Sequence, residues 1–314
     1  MFEKFEQIGF IGLGSMGLPM ACNVQRYLSS VPRHGKDLLV FNRTPSRADR
    51  VLKMGAKLSS SVEQLLDTCQ LIFTSLADDT AVLEIFEQLL EQCDKAAGKV
   101  FVDLSTIAPE TATKIESEVK KCGAHFLSCP VIGPPAKAES KDLLCVLSGP
   151  KELKAKLEPL FLGGIGRNIH DVGEEPAQAA KVKLIMNSFI LGTFELVAEA
   201  TTMAEASGIG GNRMLDVLGD YYGEKAPFLV KGKDMVEENY RVKEGEKAGF
   251  SILNALKDCR HILSLSSQTK VDVSAVKVAH GNLEKAKDMV GGDMDISAIV
   301  LPLKEQAGVR ATRR

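Results

Sequence analysis

Over the first 174 residues, short runs of consecutive apolar residues alternate with stretches in which apolar positions recur every three or four residues. The apolar runs predict strands at Gln7–Ile11, Leu38–Phe41, Ala56–Leu58, Leu71–Leu76, Val100–Asp103, His125–Ser128, Leu143–Leu147 and Asn168–Val172. Between them the longer period predicts amphipathic helices at Leu18–Leu28, Val62–Cys69, Ala81–Cys93, Pro109–Cys122 and Lys151–Phe161. Strand and helix in alternation imply βαβ units and a mostly parallel, doubly wound sheet. After Pro176 the strand signals fade. Ala177–Ser207 is one proline-free helical pattern, long for a globular protein, that ends at Gly208, Gly210 and Gly211. Further helices follow at Arg213–Leu218, Phe228–Glu238, Ile252–Gln268, Val273–Val290 and Ser297–Lys304. The expected architecture is α/β: a doubly wound domain over residues 1–174 and an all-α domain over residues 175–314, joined by the long interdomain helix.

The junction of first strand and first helix carries Gly12, Gly14 and Gly17 in G-x-G-x-x-G order, with Ser15 and Met16 between them. Chemistry needs glycine at each point: Gly12 for the tight turn, Gly14 for close approach of backbone N–H groups to a pyrophosphate, Gly17 for packing of helix on strand. The helix N-terminus beyond offers unpaired N–H donors and a partial positive charge to the anion. A glycine-rich turn without a ligand is the competing reading, and the strand-before, helix-after context tells against it.

Composition narrows the functional classes. The 314 residues are 45% hydrophobic and 25% charged, as in ordinary globular proteins, and a net charge of −2 gives no electrostatic case for nucleic acid or an anionic membrane. Seven scattered cysteines (22, 69, 93, 122, 129, 145, 259), never in C-x-x-C spacing, predict reduced thiols and neither a disulfide framework nor a metal site. No signal peptide and no apolar run long enough for a bilayer is read from the chain, and its last residues, Gly308–Arg314, look like a frayed basic tail, so the cytoplasm is the expected compartment.

Candidate ligand contacts lie at strand ends, where doubly wound sheets bind. The second strand closes on Asn42-Arg43-Thr44, followed by Arg47. No carboxylate is there to hold the ribose hydroxyls of NAD, whereas a guanidinium suits the extra phosphate of NADP; a solvated turn is the plainer alternative. The fourth strand ends on Thr74-Ser75-Leu76 and the fifth on Asp103-Leu104-Ser105-Thr106. Ser75, Leu76, Ser105 and Thr106 are candidates to face the nicotinamide and its ribose, while Ser105 and Thr106 serve equally as caps of the helix near Pro109. The candidate for proton transfer is Lys183, four residues before Asn187 on one face of the long helix and set in an apolar run. Burial there disfavours an ammonium and readies the amine for exchange with a substrate oxygen.

Gly12-x-Gly14-x-Met16-Gly17, Asp103-x-Ser105-Thr106-x-x-Pro109, Cys129-Pro130-Val131-x-Gly133, Lys183-x-x-x-Asn187, Ala198-Glu199-Ala200 and Lys257-Asp258 occur in this order along nearly the whole chain. Together they resemble the β-hydroxyacid dehydrogenase family, which includes 3-hydroxyisobutyrate dehydrogenase and glyoxylate/succinic semialdehyde reductases and, more distantly, 6-phosphogluconate dehydrogenase and imine reductases. The resemblance implies a Rossmann domain, NADP(H) as cofactor, Lys183 as general acid/base, Asn187 against the substrate, Lys257 near cofactor or substrate, and a helical domain that mediates dimers or tetramers. The apolar residues on several faces of the long helix make a homodimer through that domain the expectation. The family's substrate loop reads Pro-Val-Ser-Gly-Gly. Here it reads Pro130-Val131-Ile132-Gly133-Pro134. With Ile132 and Gly133 against the substrate, a carboxylate loses a hydrogen-bond donor, which turns the reading toward an apolar carbonyl, an imine, or a carboxylate held by other groups. The leading expectation is NADPH-dependent reduction of an aldehyde, keto acid or related hydroxy compound. Imine reduction and a non-catalytic NADP-binding sensor or scaffold are the alternatives.

Overall fold

The computed structural model describes residues 5–31, 37–242 and 248–309. The chain divides into two compact units, 1–183 and 184–314, each with its own core. Of the C-terminal tail, residues 310–314 fall outside the described residues.

In the first unit, β1 (Ile8–Ile11) leads into α1 (Gly17–Ser30). β2 (Leu39–Phe41), a 3₁₀ turn at Pro45–Ala48, α2 (Asp49–Leu52) and β3 (Lys57–Leu58) follow. Then come α3 (Val62–Thr68), β4 (Leu71–Thr74), α4 (Asp79–Leu90), α5 (Cys93–Ala96), β5 (Val100–Asp103), α6 (Pro109–Lys121) and β6 (His125–Ser128). These six strands form one parallel sheet in the order β3-β2-β1-β4-β5-β6. Sequence order reverses between β1 and β4, and the carboxyl ends of strands at such a reversal form a natural crevice. Apart from β3 at the edge, whose Lys57 and Leu58 are exposed, the sheet is buried on both faces because its strands carry two apolar faces. Phe10, Phe73, Val102 and Leu127 pack with α1 on one side, and their neighbours Ile11, Ile72, Phe101 and Phe126 pack with α3, α4 and α6 on the other.

The remaining strands leave that sheet. β7 (Val131–Ile132), α7 (Pro135–Glu139), β8 (Leu143–Leu147), α8 (Lys151–Gly164) and β9 (Gly166–Asp171) give a separate three-stranded sheet, β7-β8-β9, with β7 antiparallel to β8. Two-residue β7 and five-residue α7 are too short for periodicity to reveal.

The second unit is helical: the greater part of α9 (Pro176–Ala206), then α10 (Gly211–Tyr222), α11 (Pro227–Val236), α12 (Ile252–Thr269), α13 (Ser274–Val290), a 3₁₀ turn at Ile296–Val300 and α14 (Leu301–Gln306). Leu184, Leu191 and Val197 of α9 pack with Leu256 and Ile262 of α12 and with Val276 and Leu283 of α13.

Two sequence expectations are corrected. α9 is in fact long and apolar enough to cross a membrane, by length and composition alone. Lys183, Asn187 and Glu195 are nonetheless buried along it, and its apolar residues share a core with α12 and α13. Nor are all seven cysteines free, since Cys93 and Cys122 are joined. Parallel pairing of β5 with β6 brings the segment before one strand beside the segment before the other, and Gly98 N–H donates to Gly123 O at 2.9 Å across the same gap. A partner 29 residues away leaves no spacing signature. The other five cysteines are buried, and burial pushes the Cys69 and Cys259 thiols up to about 12.

Candidate functional site

The glycine loop is built as the spacing demands, but its three glycines do different things. Gly12 has φ +95°, and a Cβ there would lie 2.2 Å from Ser75 O. A Cβ on Gly17 would lie 2.0 Å from Gly12 O. Both are needed by the fold itself. A Cβ on Gly14 would meet nothing within 4 Å, so the protein's own packing supplies no reason for glycine there. Ser15 is exposed and Met16, half-buried, is the N-cap of α1, which has neither a side-chain cap nor an acidic residue in its first turn. Leu18 N–H is already given to Gly14 O at 3.1 Å and Pro19 has none, so what the start of α1 offers an anion is chiefly the positive end of its dipole. An open cradle at Gly14 below an uncapped helix start fits a dinucleotide pyrophosphate.

At the end of β2, Asn42 serves the loop. Leu13 N–H donates to its Oδ1 at 2.8 Å, and its Nδ2 donates to Thr44 O at 2.8 Å, so the amide tethers the glycine loop to the β2 turn. Arg43, Thr44 and Arg47 are exposed, and neither arginine has an ion pair among the described residues.

The ends of β4 and β5 are locked together. Thr74 Oγ1 and Ser105 Oγ each donate to Asp103 Oδ1 at 2.7 Å, and Leu76 N–H donates to Ser105 Oγ at 2.9 Å. The single proton of Ser105 is therefore committed to Asp103. Neither Ser105 nor Thr106 caps α6, whose N-cap is Ala108; the Ala108 N–H donates to Asp79 Oδ1 at 2.8 Å. Ser105 thus braces the loop carrying Ser75 and Leu76, and half-buried Thr106 follows it. Asp103 is fully buried with Oδ2 unpartnered. Desolvation raises its carboxyl to about 6 against the pull of the two hydroxyl donors, with Asp79 a smaller push in the same direction. Sequence reasoning quoted Asp103 only as part of a motif; a carboxylate ending a buried strand was the available signal.

Ile132 ends β7 half-buried, and Gly133 follows with φ +141°. On α9, Lys183 is 9% exposed and Asn187 5% exposed, one helical turn apart. Asn187 Nδ2 donates to Asp258 Oδ2 at 2.7 Å, and the Lys257 ammonium stands 3.4 Å from Asp258 Oδ1. Lys257 therefore meets Asp258 within its own unit. Asp258 is the residue sequence reasoning named without a role, and its place one residue after Lys257 on α12 was the only hint. Tyr221 and Tyr222 are exposed, stacked edge to face at 4.9 Å, with Tyr222 also against Phe228. No group of three or more metal-ligating side chains occurs among the described residues.

Comparison with known proteins accords with this geometry. Residues 7–173 match the NAD-binding domain of 6-phosphogluconate dehydrogenase, and residues 177–303 match the NAD-binding domain of NADP-dependent 3-hydroxyisobutyrate dehydrogenase. The chain is 30% identical over 304 residues to the chloroplastic glyoxylate/succinic semialdehyde reductase 2 of Arabidopsis thaliana, covering 95% of this chain and 79% of that protein. It is 30% identical over 300 residues to an NADH-dependent oxidoreductase of Aspergillus ustus, covering 94% and 98%. A 3-hydroxyisobutyrate dehydrogenase of Salmonella typhimurium superposes with a TM-score of 0.80 at 20% identity, over 94% of this chain and 99% of that one, which shows a shared fold. With a nucleotide-binding loop of the required geometry and family matches across both units, the chain belongs to the β-hydroxyacid dehydrogenase family and is an NAD(P)-dependent oxidoreductase.

Proposed function

We propose that the protein is an NADPH-dependent reductase of a small aldehyde or ketone, reversible as a dehydrogenase, with Lys183 as general acid/base. The observation that carries this reading is a buried lysine one helical turn from an asparagine whose amide is itself anchored. A lysine on a helix is ordinarily a solvated charge; one held at 9% exposure beside an ordered polar group is suited to exchange a proton. A nicotinamide held there would supply the hydride. Lys183 gives a proton to the carbonyl oxygen as reduction proceeds and takes it back in the reverse direction. Asn187 holds the oxygen or the lysine, and the strand-end loops carrying Ser75, Leu76 and Thr106 would border the nicotinamide end. Arg43 and Arg47, exposed and without ion pairs among the described residues, favour the 2′-phosphate of NADP(H), although one relative is named NADH-dependent.

The Ile132 side chain offers no donor to a substrate carboxylate, which favours an uncharged carbonyl over a hydroxy acid. The retained Lys183 favours carbonyl over imine chemistry. The second copy of a homodimer would cover an apolar seam on α9: Ile185, Phe189, Leu196 and Met203 are all exposed and lie within an arc of about 40° at the helical repeat.

The test is NADPH oxidation followed spectroscopically with glyoxylate, succinic semialdehyde, butanal, cyclohexanone and a cyclic imine. Lys183→Met should lower turnover roughly 10²–10⁴-fold with NADPH affinity nearly unchanged. Lys181→Met, two residues away on the helix, should leave turnover near the parental rate. Parental turnover in Lys183→Met would remove the lysine from the mechanism.

A further inference from the structure

We propose that Asp258 is a positioning residue for the proton-transfer step, acting through Asn187 to present an acceptor to the Lys183 amine. The inference rests on the reading of Lys183 as general acid/base. Asp258 is 3% exposed on α12, and its Oδ2 receives the Asn187 Nδ2 hydrogen at 2.7 Å. A carboxylate only accepts hydrogen bonds, so the edge of the amide that faces it must be the NH₂ edge. Chemistry thus decides which way the Asn187 amide lies. Its carbonyl Oδ1 is turned away from Asp258 and stands as an acceptor on the helix that carries Lys183 four residues earlier.

An acceptor suits a lysine in both of its states. As an ammonium, Lys183 has three N–H groups and no lone pair. One N–H given to Asn187 Oδ1 fixes the rotamer and leaves another for the substrate carbonyl oxygen, to which the proton passes as the C–O bond becomes an alcohol. As a neutral amine in the reverse direction, Lys183 still donates to Oδ1, and its one lone pair is left for the substrate hydroxyl. An amide turned the other way would oppose N–H to N–H in the first state and capture the lone pair in the second. Without Asp258 both orientations are open to Asn187. Asp258 Oδ1 makes no hydrogen bond, although Lys257 Nζ lies 3.4 Å away, so Asn187 is the hydrogen-bonded partner that the carboxylate orders.

The experiment is steady-state kinetics with NADPH and butanal, or succinic semialdehyde where that turns over faster, on purified full-length protein. Asp258→Ala should lower kcat roughly ten- to a hundredfold, the scale of a misplaced catalytic group, with little change in NADPH affinity by fluorescence titration. In an Asn187→Ala background the same substitution should have almost no further effect. A second variant exchanges the two groups, Asn187→Asp with Asp258→Asn, at nearly constant volume. The amide on α12 then donates to the carboxylate on α9, whose free oxygen faces Lys183. This exchange should recover much of the activity lost in either single substitution. It should also move the alkaline limb of the kcat–pH profile upward, because a carboxylate beside Lys183 favours the ammonium. Losses that simply add in Asn187→Ala/Asp258→Ala, or an exchanged variant with an unmoved limb and no recovery, would overturn the proposal. Loss of turnover in Lys183→Met alongside either of those results sinks this inference alone; parental turnover in Lys183→Met sinks the functional reading beneath it.

Discussion

Replacing Asp103 by Asn should make the protein less sensitive to pH. The carboxyl is fully buried and titrates near 6 in the folded protein, against an ordinary value of 3.8. A folded-state value above the unfolded one means that the folded state holds the proton more tightly. The group's stabilising contribution is whole below the unfolded value and is lost as pH rises through 6. Roughly two units correspond to about 3 kcal/mol over the full range, of which roughly 1 kcal/mol separates pH 8 from pH 5. Asn keeps an oxygen to accept from Thr74 and Ser105 and sets its NH₂ where the unpartnered Oδ2 lay. It removes the charge while leaving the brace in place. At about 2–4 °C per kcal/mol for a unit of this size, the Tm of Asp103→Asn relative to parent should be roughly 2–4 °C more favourable at pH 8 than at pH 5. Differential scanning fluorimetry of the apoprotein across that range reads the difference directly. The same Tm offset at both pH values would show that ionisation of Asp103 carries no such cost.

Three further outcomes are expected. Arg43→Asp should weaken NADPH binding roughly ten- to a hundredfold, the worth of a charge-assisted contact, and leave NADH binding equal or better; equal dissociation constants for the two cofactors in the parent would refute the assignment. Phe189→Asp should shift a dimer toward monomer in light scattering at micromolar concentration, since it sets a charge in the exposed seam of α9, and a monomeric parent would refute the dimer. Reduction should lower the Tm of the parent by several degrees, because the Cys93–Cys122 link closes a loop of about 30 residues. It should leave Cys93→Ser/Cys122→Ser unmoved, and equal sensitivity of both proteins to reductant would exclude the link.

The long elements could be read from the chain because each signals itself locally. Val100–Asp103, His125–Ser128 and Leu143–Leu147 run as the apolar pattern places them, and α9 differs by one residue at each end. What escaped depends on contacts between distant residues. Two-residue β7 exists because β8 offers it an edge. The Cys93–Cys122 link exists because β5 pairs with β6. Likewise, the residue types at the site were visible while their commitments were not. Ser105 looks like a ligand contact or a cap, yet its proton goes to Asp103, two residues back. Asn42 sits where a cofactor contact is expected, and its amide is engaged with Leu13 and Thr44. Asp258 looks like the companion of Lys257, but its hydrogen bond goes to Asn187, 71 residues earlier.

The glycine loop divides its own signature between two kinds of constraint. At Gly12 and Gly17 any side chain collides with backbone a little over 2 Å away or closer, whereas the space at Gly14 is empty of protein. A descendant that gave up nucleotide binding would be free to drift at position 14 while still held at 12 and 17 by the need to fold. The middle glycine is thus the position at which retained use of a cofactor leaves its evolutionary trace, and the outer two record only inheritance of the turn.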